Sequence, residues 1–136
     1  MKLTAQSLRK MKGIEQIPML TAYTSPIAQS LERAGVPVIL VGDTVGMVEI
    51  GFDSTRHTTL EHMKYHVGAV RRGAPGTHVI GDLPFNSYLT PSVALESARV
   101  RVDAGADSVK HEGAKLDVIA YLARMVEHGH LDQAFA

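Results

Sequence analysis

A chain of 136 residues can bury one modest hydrophobic core, and 45% hydrophobic against 21% charged residues describes a folded domain, not a disordered one. Fourteen basic side chains balance fourteen acidic ones, so no net charge draws the chain to nucleic acid or to an anionic membrane. The lack of Cys excludes disulfides, cysteine–zinc sites and thiol catalysis and is compatible with a reducing cytoplasm, the expected location.

The first ten residues lack the apolar core of a signal peptide, and no apolar run approaches the roughly 20 residues needed to span a bilayer. Residues 4–12 read as a short helix capped by Thr4 and ended by Gly13. Residues 17–23 form the first expected strand. A helix over residues 26–34 follows, with Ser25 as a candidate cap and Pro26 in the first turn. Residues 36–41 are apolar and mostly β-branched without alternation, as in a strand covered on both faces. Gly42 lets the chain turn, and Asp43 emerges at the strand's carboxyl end. Residues 44–57 read as an ordered loop, a length that commonly signals function. Thr58 and Glu61 have capping-box spacing ahead of a helix from about Leu60 to Arg72. A third strand covers residues 77–81 and leads to Asp82. Thr90-Pro91 opens a helix running to about Ala104. A fourth strand ends near Lys110, and residues 115–128 form a last helix with Leu116, Ile119, Tyr121, Leu122, Met125 and Val126 as its apolar set. Gly129 is its expected terminator.

The order is one helix and then four β-α units, which favours a parallel sheet with right-handed crossovers. Units of roughly 30 residues match those of an eight-unit barrel, but such a barrel needs roughly 250 residues. Periodicity alone leaves a half barrel and a small open sheet equally open. Three strand ends carry ionisable groups: Asp43, Asp82 and the Lys110/Glu112 pair. If their strands are neighbours, the groups converge where α/β proteins bind ligands. Two carboxylates there suit a hard divalent cation such as Mg²⁺, and a lysine beside them would counter a substrate carboxylate. The competing reading is that both aspartates only cap turns.

Several segments carry a more specific signal. They are Leu20-Thr21-Ala22-Tyr23, residues 41–47, Gly51-Phe52-Asp53-Ser54-Thr55, Tyr65-His66, residues 69–75, Gly81-Asp82-Leu83-Pro84-Phe85, and Ala104-Gly105-Ala106 through Val109-Lys110 with Glu112-Gly113. In this order the set resembles the ketopantoate hydroxymethyltransferase family. The resemblance implies an α/β fold: an N-terminal helix plus about four β-α units of a (β/α)₈ TIM barrel of the phosphoenolpyruvate mutase/isocitrate lyase type, shortened to its amino-terminal half. Residues 1–136 would form a single incomplete barrel domain with a divergent tail over 130–136.

The implied reaction transfers a hydroxymethyl group from 5,10-methylenetetrahydrofolate to 3-methyl-2-oxobutanoate, giving 2-dehydropantoate for pantothenate synthesis. By motif, Asp43 and Asp82 would be metal-binding carboxylates for Mg²⁺ or another divalent cation, with Glu112 near the metal through water. Asp43, Thr44, Asp82 and Lys110 would bind the substrate. Thr44 stands where the family usually has Ser, and His111 where an apolar residue is expected. The family's catalytic base is a Glu on a later strand, beyond residue 136, so no catalytic base is assigned here. An unclosed barrel exposes two sheet edges, which implies a homo-oligomer or a complementary half as partner. The rival readings are an inactive half barrel that binds ligand or a complementary chain, and another 2-oxo-acid carbon–carbon lyase of the same superfamily. His62 and His66 have helical i,i+4 spacing that can bind metal but more often serves packing. His57 and His78 read as structural, and Arg71-Arg72 as a helix-end charge pair or subunit contact.

Overall fold

The chain opens on α1 (Ala5–Met11), which starts where the sequence places it. Thr4 Oγ1 accepts the Ser7 amide at 3.1 Å and Ser7 Oγ accepts the Thr4 amide at 2.7 Å, satisfying two amides that a helix start leaves open. The computed structural model describes residues 2–113 and 116–127. The expected features at Gly129 and over residues 130–136 lie outside these, as do the side chains of Met125 and Val126.

Four strands follow: β1 (Met19–Thr21) and β2 (Val38–Val41), both shorter than expected, β3 (His78–Asp82), shifted by one residue, and β4 (Ser108–Lys110). They form one parallel sheet in the order β1-β2-β3-β4. The crossovers are α2 (Ser25–Arg33), α4 (Leu60–Gly73) and α5 (Pro91–Asp103), with α6 (Leu116–Glu127) after β4. Residues 44–57 are more regular than a loop. They hold a four-residue helix, α3 (Val45–Val48), and a 3₁₀ turn (Thr55–His57).

Side chains alternate across a strand, so the register assigns each residue to a face. Ile39, Val41 and Val79 pack against Met63, Val67 and Val70 of α4. Val109 joins a second cluster with Ala94, Leu95 and Ala98 of α5 and Val118 and Leu122 of α6. Leu116, expected in the apolar set of α6, is instead exposed, because it sits at the first turn ahead of that contact. Gly73 lets α4 close on α2, since a Cβ there would lie 2.2 Å from the Ser25 carbonyl oxygen.

The other sheet face carries Met19, Val38, Leu40, His78, Ile80, Asp82, Ser108 and Lys110. α1 crosses its amino-terminal end and buries Leu8. A groove of about 590 Å³ remains on this face, lined in part by Leu8, Ile17, Met19, Val38 and Ile80. All three residues of β1 are exposed, and among the described residues no strand pairs with its outer edge. The expectation of a strand covered on both faces holds for β2, whose Val38 is 2% exposed on this face and whose Leu40 alone is partly exposed, whereas β1 at the edge is open.

Arg71 and His78 both serve as internal ties. Arg71 is no free helix-end charge: its guanidinium pairs with Asp107 and donates to the carbonyls of Gly105 (2.7 Å), Ala74 (3.0 Å) and Thr77 (3.0 Å). His78 is structural as expected, and it is well partnered. Nδ1 is 2.9 Å from the Leu3 carbonyl oxygen and Nε2 is 2.9 Å from Ser108 Oγ. A carbonyl only accepts, so Nδ1 carries the proton and the Ser108 hydroxyl donates to Nε2. Burial pushes the His78 pKa below its ordinary value, partly offset by the Leu3 hydrogen bond.

The unfolded chain therefore binds a proton more readily at this position than the folded one. Stability should fall as pH drops below about 6.5 and continue falling toward the depressed folded pKa. Urea unfolding across this range should show that slope, and His78→Asn should flatten it. An unchanged slope in the variant would contradict the assignment.

Candidate functional site

The parallel register delivers three of the expected residues to one end of the sheet. Asp82 is the last residue of β3 and Lys110 the last of β4, directly paired across the ladder. Asp43 lies two residues beyond β2, whose Val41 is paired with Gly81. The Asp43 amide donates to Asp82 Oδ2 at 3.2 Å, tying the two strand ends together. Lys110 Nζ lies 2.6 Å from Asp82 Oδ1 and 3.6 Å from Glu112 Oε1. Asp82 Oδ1 has no other hydrogen-bond partner among the described residues. The charge contact at 2.6 Å is therefore what compensates this buried oxygen.

The neighbouring elements hold this cluster. Thr58, 2% exposed, donates through Oγ1 to the Asp43 carbonyl at 2.7 Å. It is not the helix cap that its spacing to Glu61 implied. Thr59 caps α4, with its hydroxyl accepting the His62 amide at 3.3 Å and His62 Nδ1 accepting the Thr59 amide at 3.1 Å. His66 Nδ1 donates to the Tyr23 carbonyl at 2.7 Å. The His62/His66 pair is thus divided between two separate structural bonds. Behind β3, the fully buried Arg101 donates from Nε to the Asp82 carbonyl (3.2 Å) and from Nη2 to the Leu60 carbonyl (3.0 Å). Burial pulls its pKa down to about 10, against the opposing pull of Glu61 and Asp82.

The electrostatics follow from crowding acids in a half-buried place. Burial raises the Asp43 pKa, and Asp82 and Glu112 raise it further. Burial also raises Asp82, despite the opposing effects of Lys110 and the Asp43 amide. For Lys110 burial works downward, but Asp82, Glu112 and Asp43 together carry it above its ordinary value. The paired ions do not cancel because desolvation penalises Asp82 more than one ammonium repays.

A cluster with more carboxylate than cation has room for a further positive charge. Among the described residues no three Asp, Glu, His or Cys side chains form a ready metal cage. Mg²⁺ does not need one, because it commonly binds one or two carboxylates and fills its remaining positions with water and substrate oxygen. The all-oxygen donor set of Asp43 and Asp82 fits such an ion.

A family model described as ketopantoate hydroxymethyltransferase matches residues 2–130. The chain belongs to this family. The 3-methyl-2-oxobutanoate hydroxymethyltransferase of Chloroflexus aurantiacus is 45% identical over 131 residues, covering 95% of this chain and 46% of its own length. That of Thermosipho africanus is 47% identical over 112 residues, covering 82% of this chain and 42% of its own. The chain thus spans about half the length of the curated relatives it matches.

Among solved structures, 2,3-dimethylmalate lyase, a member of the PEP mutase/isocitrate lyase superfamily, superposes with a TM-score of 0.73 at 18% identity. The match covers 98% of this chain and 51% of the lyase. Oxaloacetate acetylhydrolase in complex with oxalate gives 0.73 at 15% identity, covering 96% and 52%. At such identities the likeness concerns the fold alone. The chain has the fold of about half of each of these proteins, an α/β arrangement consistent with a truncated (β/α)₈ barrel, as the ketopantoate hydroxymethyltransferase resemblance implied.

Sequence reasoning did not single out Tyr23, Thr58 or Arg101 for the site. Tyr23 lay within a matching segment, but nothing in its spacing revealed that its hydroxyl meets Thr44 at 2.7 Å. Thr58 was assigned to the wrong task, and a lone Arg inside a helix carries no signal of burial.

Proposed function

We propose that this chain supplies the metal- and oxo-acid-binding half of a 3-methyl-2-oxobutanoate hydroxymethyltransferase. The reaction would move a hydroxymethyl group from 5,10-methylenetetrahydrofolate to 3-methyl-2-oxobutanoate, giving 2-dehydropantoate in pantothenate synthesis. The observation that carries this reading is the convergence of Asp43, Asp82 and Lys110 at the carboxyl ends of neighbouring strands, with Lys110 2.6 Å from Asp82. Membership of the family selects the substrate class.

Asp43 and Asp82 would hold a divalent cation, with Glu112 reaching it through water. When bound, the cation polarises the 2-oxo group and acidifies the C3 proton of the substrate. Lys110 neutralises the substrate carboxylate, and the Thr44 hydroxyl donates to it. The Asp43 amide and the Thr58 hydroxyl keep the strand ends in register while this happens. Arg56 lies over the Phe85 ring at 5.2 Å, joining the segment after β2 to the loop after β3.

The exposed β1 edge and the apolar groove suit four further β-α units, from more of the same polypeptide, a complementary half or another copy. No helix among the described residues is long and apolar enough to cross a membrane.

Co-expression with the carboxyl-terminal half of the Chloroflexus aurantiacus relative tests the reading. The pair should assemble and form 2-dehydropantoate from the two substrates only with a divalent cation present. An assembled pair that makes no product would contradict the proposed activity.

A further inference from the structure

We propose that Tyr23 is a positioning residue that fixes the Thr44 hydroxyl as a donor toward an anionic ligand. The inference rests on the reading of the strand-end cluster as an oxo-acid site, and extends it to a residue outside the ligand set. Tyr23 lies two residues beyond β1, is 9% exposed, and packs in the core with Ala22, Val41 and Val45. Its carbonyl is held by His66 Nδ1 at 2.7 Å, so the backbone that carries the ring is anchored to α4. The Tyr23 hydroxyl is 2.7 Å from Thr44 Oγ1.

Thr44 occupies the N-cap position of α3, yet its side chain makes no capping hydrogen bond. The hydroxyl is therefore not consumed by the helix it precedes. A threonine hydroxyl has one proton and two acceptor sites, whereas a phenol is the more acidic donor. With Tyr23 donating, Thr44 keeps its own proton for a third group. The β-branched side chain has few χ1 choices, so one such bond is enough to select a rotamer.

Gly42 shows how closely these groups gather. A Cβ there would lie 3.1 Å from Thr44 Oγ1, 3.4 Å from Asp82 Oδ2 and 3.6 Å from the Tyr23 hydroxyl. Three oxygens thus gather around the place that a side chain at residue 42 would enter. The polar chain runs from a buried phenol, through an exposed hydroxyl, to the same strand end as Asp82 and Lys110. The ligand it suits is a carboxylate, reached by Thr44 on one side and Lys110 on the other.

The test compares Tyr23→Phe, Thr44→Val, Thr44→Ser and the double variant Tyr23→Phe/Thr44→Val. Three-bond couplings at Thr44 in the ligand-free chain read its rotamer directly. They should report one rotamer in the parent and averaging in Tyr23→Phe. The Mg²⁺-dependent affinity for 3-methyl-2-oxobutanoate should fall about five- to tenfold in Tyr23→Phe, the loss of one modest hydrogen bond. It should fall no further when Tyr23→Phe is added to Thr44→Val, whereas Thr44→Ser should keep its dependence on Tyr23. Unchanged Thr44 couplings in Tyr23→Phe overturn the proposal, as does a full Tyr23→Phe effect persisting on Thr44→Val. The expected rotamer averaging in Tyr23→Phe, together with no affinity of the parent chain for the oxo acid, supports the positioning and overturns the oxo-acid reading of the cluster.

Discussion

Lys110→Met should cost the chain about 2 kcal/mol of stability without divalent cation, and Mg²⁺ should recover much of that loss. The substitution keeps an apolar stem but removes the only ammonium within ion-pair distance of Asp82 among the described residues. Asp82 would then share a half-buried space with Asp43, held by the amide contact at 3.2 Å. Breaking a fully buried pair typically costs 3–5 kcal/mol, and the one-third exposure of Lys110 lowers that to about 2.

The pH dependence has a definite sign. The folded pKa of Asp82 lies above its ordinary value of 3.8, so stability falls as pH rises from that ordinary value toward the folded pKa and stays lower above it. Removing Lys110 should raise the folded pKa further and extend this loss to higher pH, making the variant weakest, relative to the parent, toward neutral and higher pH. A cation binding only the folded chain at tenfold its dissociation constant returns about 1.4 kcal/mol. Urea unfolding of both chains, with chelator or with Mg²⁺, measures all three effects. Equal Mg²⁺ stabilisation of parent and variant would show that the cation does not take up the charge deficit at Asp82.

Gly46→Ala is the second large effect. The new Cβ would stand 2.1 Å from Thr58 Oγ1 and 3.0 Å from Phe52 Cδ2. Thr58 is 2% exposed and holds the Asp43 carbonyl, so relieving the overlap displaces the support of the site as well as the packing of α3. Overpacking of this kind costs about 2–3 kcal/mol. The affinity for Mg²⁺ should drop together with the unfolding midpoint. Thr58→Ala alone should cost about 1 kcal/mol for the lost hydrogen bond. The double variant should be clearly less damaged than the sum of the two, because the clash and the bond involve the same oxygen. Strict additivity in denaturant unfolding would remove Thr58 from the explanation.

The sequence made the strand order of events plain but not the geometry of its margins. The apolar run before Gly42 marked a buried strand, and Asp43, Asp82 and Lys110 each followed such a run. That regularity was enough to place them at one end of a parallel sheet, and the family segments narrowed the barrel type. The missed residues act across the chain. Tyr23 meets Thr44, Thr58 meets Asp43 and Arg101 meets Asp82, at sequence separations of 21, 15 and 19. No local pattern encodes such contacts, because they depend on how the loops fold over the strand ends.

The same reason explains Arg71. A basic pair at a helix end reads as a response to the helix dipole. In the folded chain Arg71 instead satisfies carbonyls from two separate turns and pairs with Asp107. The region after Asp43 was misread for a different cause. Four residues of helix are too short to leave a periodic signature, so α3 was indistinguishable from loop.

In the proposed function Asp43, Asp82 and Lys110 together receive a divalent cation and a 2-oxo acid. Titration calorimetry of this chain with 3-methyl-2-oxobutanoate, in chelator and in Mg²⁺, tests it most directly when repeated on Asp82→Asn. The expected result is binding that requires Mg²⁺ in the parent and disappears in Asp82→Asn. Binding that is indifferent to Mg²⁺, or that survives intact in Asp82→Asn, would contradict it.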